Sequence, residues 1–415
     1  MTRCYWMAPA AALLVACGSA PDDSAVATAE LGTAEQQCMD RGAMKVALGR
    51  HIFFDTNLSE PPGQSCASCH APEVGFTAPD SEVNAAGAVM PGALPGRSGN
   101  RKPPSAAYAT PSPLLHYDGA EGLFIGGVFW DGRATGWRLG SPTAEQALGP
   151  FLNPLEQNLP SKEEAIRRIC DGRYGSMFRR VWGASACKPE NTESAYDAVG
   201  LSIAAFEGSP QVNQYSSKFD FFLQGKAKLT VQEEAGFDVF QNKGQCALCH
   251  VLEPADRPLF TDNTFDNLGV PKNPQNPFYG QTQFNSAGAD WVDVGLGGFL
   301  ATTEYAALAP ENTGKQRVPT LRNVDKRPYP GFVKAYSHNG VFKSLKQIVH
   351  FYNTRDMLGT CAADFAGEMG ESCWPAPEVA ENVNTDELGD LGLSEEEEDA
   401  LVAFLGTLSD GWKRR

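Results

Sequence analysis

Apolar residues recur at helical spacing in several separate stretches of the chain. Met44, Ala47, Leu48 and Ile52 share one face of a predicted helix. Ser161-x-x-Glu164 opens a second helix holding Ala165, Ile166 and Ile169, and Ala195, Ala198, Val199, Ser202, Ile203 and Phe206 form the stripe of a third. Thr230-x-x-Glu233 is a capping-box signature ahead of Ala235, Phe237 and Phe240. Leu345, Ile348, Val349 and Tyr352 fall at i, i+3, i+4 and i+7, which turns His350 away from the stripe. Near the C-terminus Ser394 and Glu395 to Glu398 precede Leu401, Phe404, Leu405 and Leu408; acids there complement the helix dipole and are not read as a binding site. Between these helices, residues 71–160 and 251–335 are rich in Pro, Gly, Asn and aromatics without periodicity and read as long ordered loops. No stretch reads as a sheet, so the expected fold is mainly α.

The two halves repeat each other loosely. Gly49-x-x-x-Phe53 precedes Gly63-Gln64-x-Cys66, and Gly236-x-x-x-Phe240 precedes Gly244-Gln245-Cys246. Each repeat delivers a Cys-x-x-Cys-His motif: Cys66, Cys69 and His70 in the first, Cys246, Cys249 and His250 in the second. Two cysteines one turn apart can each form a thioether with a haem vinyl group, and the adjacent histidine supplies an axial nitrogen to iron. A zinc knuckle would need a fourth ligand at similar spacing, and a thioredoxin-like pair a βαβ context; neither surrounds these motifs. Two covalently bound haem c groups are therefore expected, one per half: residues 38–225 and residues 226–415, with the boundary near Gly225.

With 415 residues the chain is long enough for two domains with real cores, and its formal charge of −16 argues against nucleic acid as a partner. The same charge could steer a basic protein donor. Residues 8–16 form an apolar run after Arg3, too short to span a bilayer and suited to a signal peptide. Leu14-Val15-Ala16-Cys17 resembles a lipobox. That reading makes residues 1–17 a lipoprotein signal with Cys17 lipidated, and residues 18–37 a disordered tether; the alternative is plain cleavage near Ala27 or Ala29. Export to the periplasm, with the membrane reached only through that anchor, is the expectation. Of the eleven cysteines, four belong to the haem motifs and Cys4 and Cys17 to the signal. Cys170 with Cys187, and Cys361 with Cys373, are close enough in sequence to be disulfides in an oxidising compartment, leaving Cys38 odd; free buried thiols are the alternative.

The order of motifs carries a resemblance. Leu48-Gly49-Arg50-x-x-Phe53-Phe54-Asp55, the first haem motif, Phe129-Trp130-Asp131-Gly132-Arg133, Gly149-Pro150-x-x-Asn153-Pro154-x-Glu156, the second haem motif, Pro319-Thr320-Leu321-Arg322-Asn323-Val324 and Ser337-His338-Asn339-Gly340 together resemble the bacterial dihaem cytochrome c peroxidase and MauG family. The resemblance implies two cytochrome c-like domains joined by long ordered loops, a peroxide-reacting haem in the first and an electron-transferring haem in the second. It implies that His70 and His250 are proximal ligands, that Glu156 is the catalytic acid-base with Gln146 and Pro150 beside it, and that Trp130 sits between the haems. A positioned carboxylate can take a proton from one peroxide oxygen and return it to the other. Tyr352 occupies the position where peroxidases of the family carry a methionine ligand and MauG a tyrosine; a hard phenolate favours ferric and higher-valent iron. Met357, His338 or a Tyr352 that only packs are the alternatives.

Two departures from the family pattern bear on mechanism. The loop from Met90 to Gly96 lacks the histidine that caps the reactive haem in family members needing reductive activation. Lys102 stands where the family has an asparagine that helps bind calcium, and an ammonium in the cation's place argues against calcium. The expected activity is reduction of hydrogen peroxide to water at the first haem, with electrons from a small donor protein, cytochrome c or cupredoxin, entering through the second. A MauG-like enzyme that oxidises a residue on a protein substrate, and a non-enzymatic dihaem electron carrier, are the other readings.

Overall fold

The structure, a computed structural model, describes residues 40–362 and 366–413. The expected signal, the lipobox at Cys17, the tether and Cys38 lie outside the described residues. No helix among those described is long and apolar enough to cross a membrane.

Each half is built on two helices that cross at a glycine of the internal repeat. In the first half α1 (residues 40–53) crosses α6 (Thr192–Glu207), and a Cβ on Gly49 would sit 1.8 Å from the Ser202 carbonyl oxygen. In the second, α8 (Val231–Gln241) crosses α11 (Glu395–Gly406), and a Cβ on Gly236 would sit 1.8 Å from the Ala400 carbonyl oxygen. Only glycine permits backbones this close. One turn later Phe53 meets Phe206 at 5.3 Å between ring centroids, and Phe240 meets Phe404 at 5.2 Å. The sequence repeat thus records a helix crossing and the aromatic pair that seals it. Around the first crossing pack Leu48, Ile52, Phe151, Ile169, Phe178 and Ile203; around the second pack Phe219, Phe260, Phe342, Phe351, Leu401 and Leu408. Packing passes from one core to the other between Val212 and Phe219.

The caps behave as their residue types dictate. Thr230 with Glu233, and Ser394 with Glu397, close reciprocal capping boxes. Ser161 accepts from the Glu164 amide at the start of α4 (Lys162–Asp171), but the Glu164 carboxylate turns outward to Arg167 and Arg168. Both expected disulfides, Cys170–Cys187 and Cys361–Cys373, are formed.

Two expectations need correction. Residues 71–160 are not loop throughout: Pro142–Leu152 form α3, capped by Ser141, whose internal Pro150 and Gly149 blur the helical period. Short antiparallel pairs occur, β1 (His116–Asp118) with β2 (Leu123–Ile125) and β3 (Phe265–Asp266) with β4 (Gln316–Arg317), too small to alter the mainly helical class. The acidic run at 395–398 caps α11 and also makes one buried contact. Glu398 is 3% exposed and accepts from His350 Nδ1 at 2.8 Å and Asn353 Nδ2 at 2.6 Å, joining α11 to α10 (Leu345–Thr354).

Candidate active site

Both Cys-x-x-Cys-His motifs form a single tight turn in which the histidine amide donates to the first cysteine's carbonyl at 2.9 Å. A second device is also duplicated. His70 Nδ1 lies 3.1 Å from the Phe76 carbonyl oxygen, and His250 Nδ1 lies 2.9 Å from that of Phe260. Phe76 (φ 58°) and Phe260 (φ 55°) both occupy the left-handed region, which bends the chain back over the ring. With Nδ1–H donating to a carbonyl, the Nε2 lone pair is left for iron. Burial lowers both imidazole pKa values, favouring the neutral ligand form. All four motif cysteines are free of disulfides. Burial pushes Cys69, Cys246 and Cys249 up to about 12, and Cys66 higher still, so they remain thiols. Free thiols without a disulfide partner are the form that thioether attachment to a haem vinyl group uses.

The cavity beside the second motif offers an independent test of haem fit. Cys246, Cys249 and His250 share its walls with Leu268, Val349, Leu391 and Leu401. Among its lining residues, both amide atoms of Gln316, Nε of Arg317 and Nε2 of His338 are buried without a hydrogen-bond partner. An apolar slot edged by unsatisfied polar atoms, N–H donors of Gln316 and Arg317 among them, matches a planar macrocycle bearing two carboxylates, so the residues fit haem. Tyr352 also lines this cavity, whereas Met357 is 63% exposed and outside it. His338 lines it too. His350 is committed elsewhere, to Glu398 and the Gly370 carbonyl.

Near the first motif lies Glu156, the carboxylate singled out from the sequence. It lies in the turn after α3, where the Glu156 amide donates to the Asn153 carbonyl and the Asn153 side-chain amide donates to Glu156 Oε2 at 2.7 Å. Burial raises its pKa above the usual carboxylate value; Asn153 and, electrostatically, Arg133 partly oppose this. Its charge reaches the sulfurs of both Cys66 and Cys69, which places it at the first haem motif. The Met90–Gly96 loop straps the same turn: the Ala93 amide donates to the Glu156 carbonyl, and Arg97 donates to the Pro154 carbonyl and to Asn158. Met90 is half-buried in that loop, and His116 is exposed on β1. Gln146 is half-buried on α3 and makes no side-chain hydrogen bond among the described residues, so nothing ties it directly to Glu156.

Trp130 is fixed from both halves. Its indole Nε1–H donates to the Lys102 carbonyl at 2.8 Å, and its own carbonyl accepts from the Arg317 amide at 2.7 Å. The ring lines the second-motif cavity, edge-on to His338 with centroids 6.3 Å apart. Below it Arg101 joins Asp131 to Asp293, both at 2.6 Å, in a buried clamp between the halves. The Lys102 side chain is buried near Thr77 and the Pro103 carbonyl, and burial pushes its amine down to about 8.

Residues 43–228 match the family model described as di-haem cytochrome c peroxidase. The chain is 35% identical over 384 residues to the methylamine utilization protein MauG of Paracoccus denitrificans, covering 91% of this chain and 92% of that protein. It belongs to the dihaem cytochrome c peroxidase and MauG family. Members include the cytochrome-c peroxidase IdrP2 of Denitromonas iodatirespirans, 28% identical over 91% of this chain and 86% of its own. Among solved structures, the diheme peroxidase BthA from Burkholderia thailandensis superposes with a TM-score of 0.72 at 31% identity, covering 88% of this chain and 86% of that one. Membership makes the chain a dihaem oxidoreductase with two cytochrome c-like units.

Sequence reading missed several buried polar groups at this centre. Glu207 is 4% exposed, has no side-chain hydrogen bond among the described residues, and lies close enough to Cys66 to act on its charge. Its signal was available: position 207 is i+4 from Ile203, on the apolar stripe of α6. Arg101 and Asp293 gave no local signal.

Proposed function

We propose that this chain is an exported dihaem peroxidase that reduces hydrogen peroxide at the Cys66–His70 site and takes electrons in through the Cys246–His250 site. Bound haem supplies the iron at which the O–O bond breaks and the capacity to hold oxidising equivalents. The chain's own residues do the rest. Glu156 carries the reading: a half-buried carboxyl with no salt-bridge partner among the described residues, whose charge reaches both thiols of the first motif. In its carboxylate form it takes the proton of incoming peroxide, and in its acid form it returns that proton to the leaving oxygen. Asn153 holds Oε2 in place, and the strap from residues 92–97 fixes the turn. Trp130, pinned between Lys102 and Arg317, relays electrons between the halves.

Tyr352 would help hold the haem at the His250 site, since it lines that cavity and its hydroxyl has no hydrogen-bond partner among the described residues. Lys102 sets an ammonium where the family resemblance would put a calcium ligand. The two disulfides suit a periplasmic setting. The 35% identity to MauG, together with the tyrosine in the cavity, favours one second reading: oxidation of a residue on a partner protein.

Stopped-flow mixing of the diferric protein with peroxide, with and without one equivalent of reductant, tests the peroxide step. With no histidine in the Met90–Gly96 loop, the Soret band is expected to respond without prior reduction. Reduced cytochrome c or cupredoxin should then be oxidised; a peroxide response that no small donor consumes selects the MauG-like reading. A Soret band that responds only after reduction would show a ligand closing the site, with Met90 the first residue to replace.

A further inference from the structure

Tyr108 stands apart from the catalytic groups already placed, yet its ring lines the same cavity as Trp130 and His250 and is 2% exposed. Its hydroxyl donates to Asp410 Oδ2 at 2.7 Å and accepts the Tyr215 amide at 2.9 Å. Asp410 is buried and held as an acceptor by the Ser216 amide, the Ser216 hydroxyl and Asn323 Nδ2. Tyr215 meets Tyr108 edge-on, centroids 5.0 Å apart, and is itself only half-buried. Two buried-to-surface rings in contact, the inner one bonded to a carboxylate, form a path outward from the inter-haem region.

Two further observations concern the same pair. Tyr108 (φ 59°) and Tyr215 (φ 46°) both lie in the left-handed region, where a bulky side chain is strained. The fold bears that strain twice to seat these rings. Arg322 lies over both, 4.9 Å from the Tyr108 centroid and 4.5 Å from that of Tyr215, with its charge matched by a bidentate pair to buried Asp220. A guanidinium over the rings opposes any positively charged tyrosine. An electron can therefore leave Tyr108 only if its proton leaves too, and the hydrogen bond to Asp410 gives the proton somewhere to go.

We propose that Tyr108, Asp410 and Tyr215 form an outlet through which oxidising equivalents leave the haem region as a tyrosyl radical when no donor protein is bound. The proposal rests on the peroxidase reading. Hydrogen peroxide is the oxidant; with haem bound, its two-electron reduction to water would draw one electron from the cofactors and the other from Tyr108. The Tyr108 O–H bond breaks, its proton passes to Asp410 Oδ2, and a neutral radical remains. Tyr215 then reduces Tyr108, Asp410 returns the proton, and Tyr215 releases its own phenolic proton to solvent. The unpaired electron ends on a half-exposed ring, where a small one-electron reductant such as a phenol can quench it.

The diferric holoprotein is mixed with peroxide without donor and freeze-quenched for electron paramagnetic resonance, with the Soret band recorded in parallel. Ring-deuterated tyrosine should narrow the radical signal in the unmodified protein, and a nitroso spin trap should mark the peptide carrying Tyr215. Tyr108→Phe and Asp410→Asn should each lose the signal while the Soret response persists. Tyr215→Phe should keep a radical that the trap cannot reach. A Soret response with no tyrosyl radical, an undiminished radical in Tyr108→Phe, or a trap adduct at another tyrosine overturns the outlet alone. A Soret band indifferent to peroxide overturns the peroxidase reading and the outlet with it.

Discussion

Replacing Glu156 with Gln separates chemistry from architecture. Gln keeps the length and an acceptor oxygen for the Asn153 amide that now meets Oε2 at 2.7 Å, so the turn at 153–158 should keep its shape. What is lost is a group that can exchange a proton. A positioned acid-base group is worth about 10²- to 10⁴-fold, which corresponds to roughly 3–5 kcal/mol of barrier. The sign of the pH effect follows from burial. Because burial raises the Glu156 pKa, the carboxylate begins to be protonated above the usual carboxylate range. The wild-type rate should fall as pH drops through that raised value, while the variant's slow rate should stay flat. Stability should move the other way: a raised acid pKa penalises the folded state above the unfolded value, so Gln should match or exceed the parent's melting temperature at neutral pH. Stopped-flow Soret kinetics across pH, with melting curves, check both. Unchanged peroxide kinetics in a normally folded variant would remove Glu156 from the mechanism.

Trp130→Phe keeps an apolar ring but removes the donor to Lys102 and raises the cost of ring oxidation; peroxide should still react at the His70 site, with oxidation at the His250 site slowed in rapid-scan spectra. Parent-rate oxidation there would end the relay. Gly236→Ala puts a carbon 1.8 Å from the Ala400 carbonyl oxygen and forces α8 from α11; overpacking of this kind costs about 1–3 kcal/mol or more, read as a lower melting temperature. Gly49→Ala should do the same in the first half, and an unshifted melt in either would refute the crossing argument. Glu207, pushed up to about 8 by burial, keeps its proton in the folded protein while the unfolded chain loses it; stability should fall by about 1.4 kcal/mol per pH unit between the unfolded carboxyl pKa and about 8. Glu207→Gln should flatten that slope in pH-dependent denaturant melts.

What the sequence determined by itself was local or periodic. A Cys-x-x-Cys-His motif sets its ligands within one turn, a capping box closes over four residues, and an apolar stripe marks a buried helix face, so the two motifs and most helices were legible. The Gly-x-x-x-Phe repeat was visible as a repeat, but the facing carbonyls of Ser202 and Ala400, which make glycine obligatory, come from helices far along the chain. Helix α3 escaped because Pro150 and Gly149 broke its period, although the caps at Ser141 held it. Glu398 read as one more acid at a helix start, and only the approach of α10 buried it beside His350. Trp130 could be matched to a family position, yet its clamping depended on Lys102 and Arg317, which belong to opposite halves. The Tyr108–Asp410 bond spans 302 residues and left no trace in composition or spacing. Polar contacts between halves need one partner from each side and impose no pattern on either alone. Tertiary packing therefore decided which acids, rings and cations surround the two motifs.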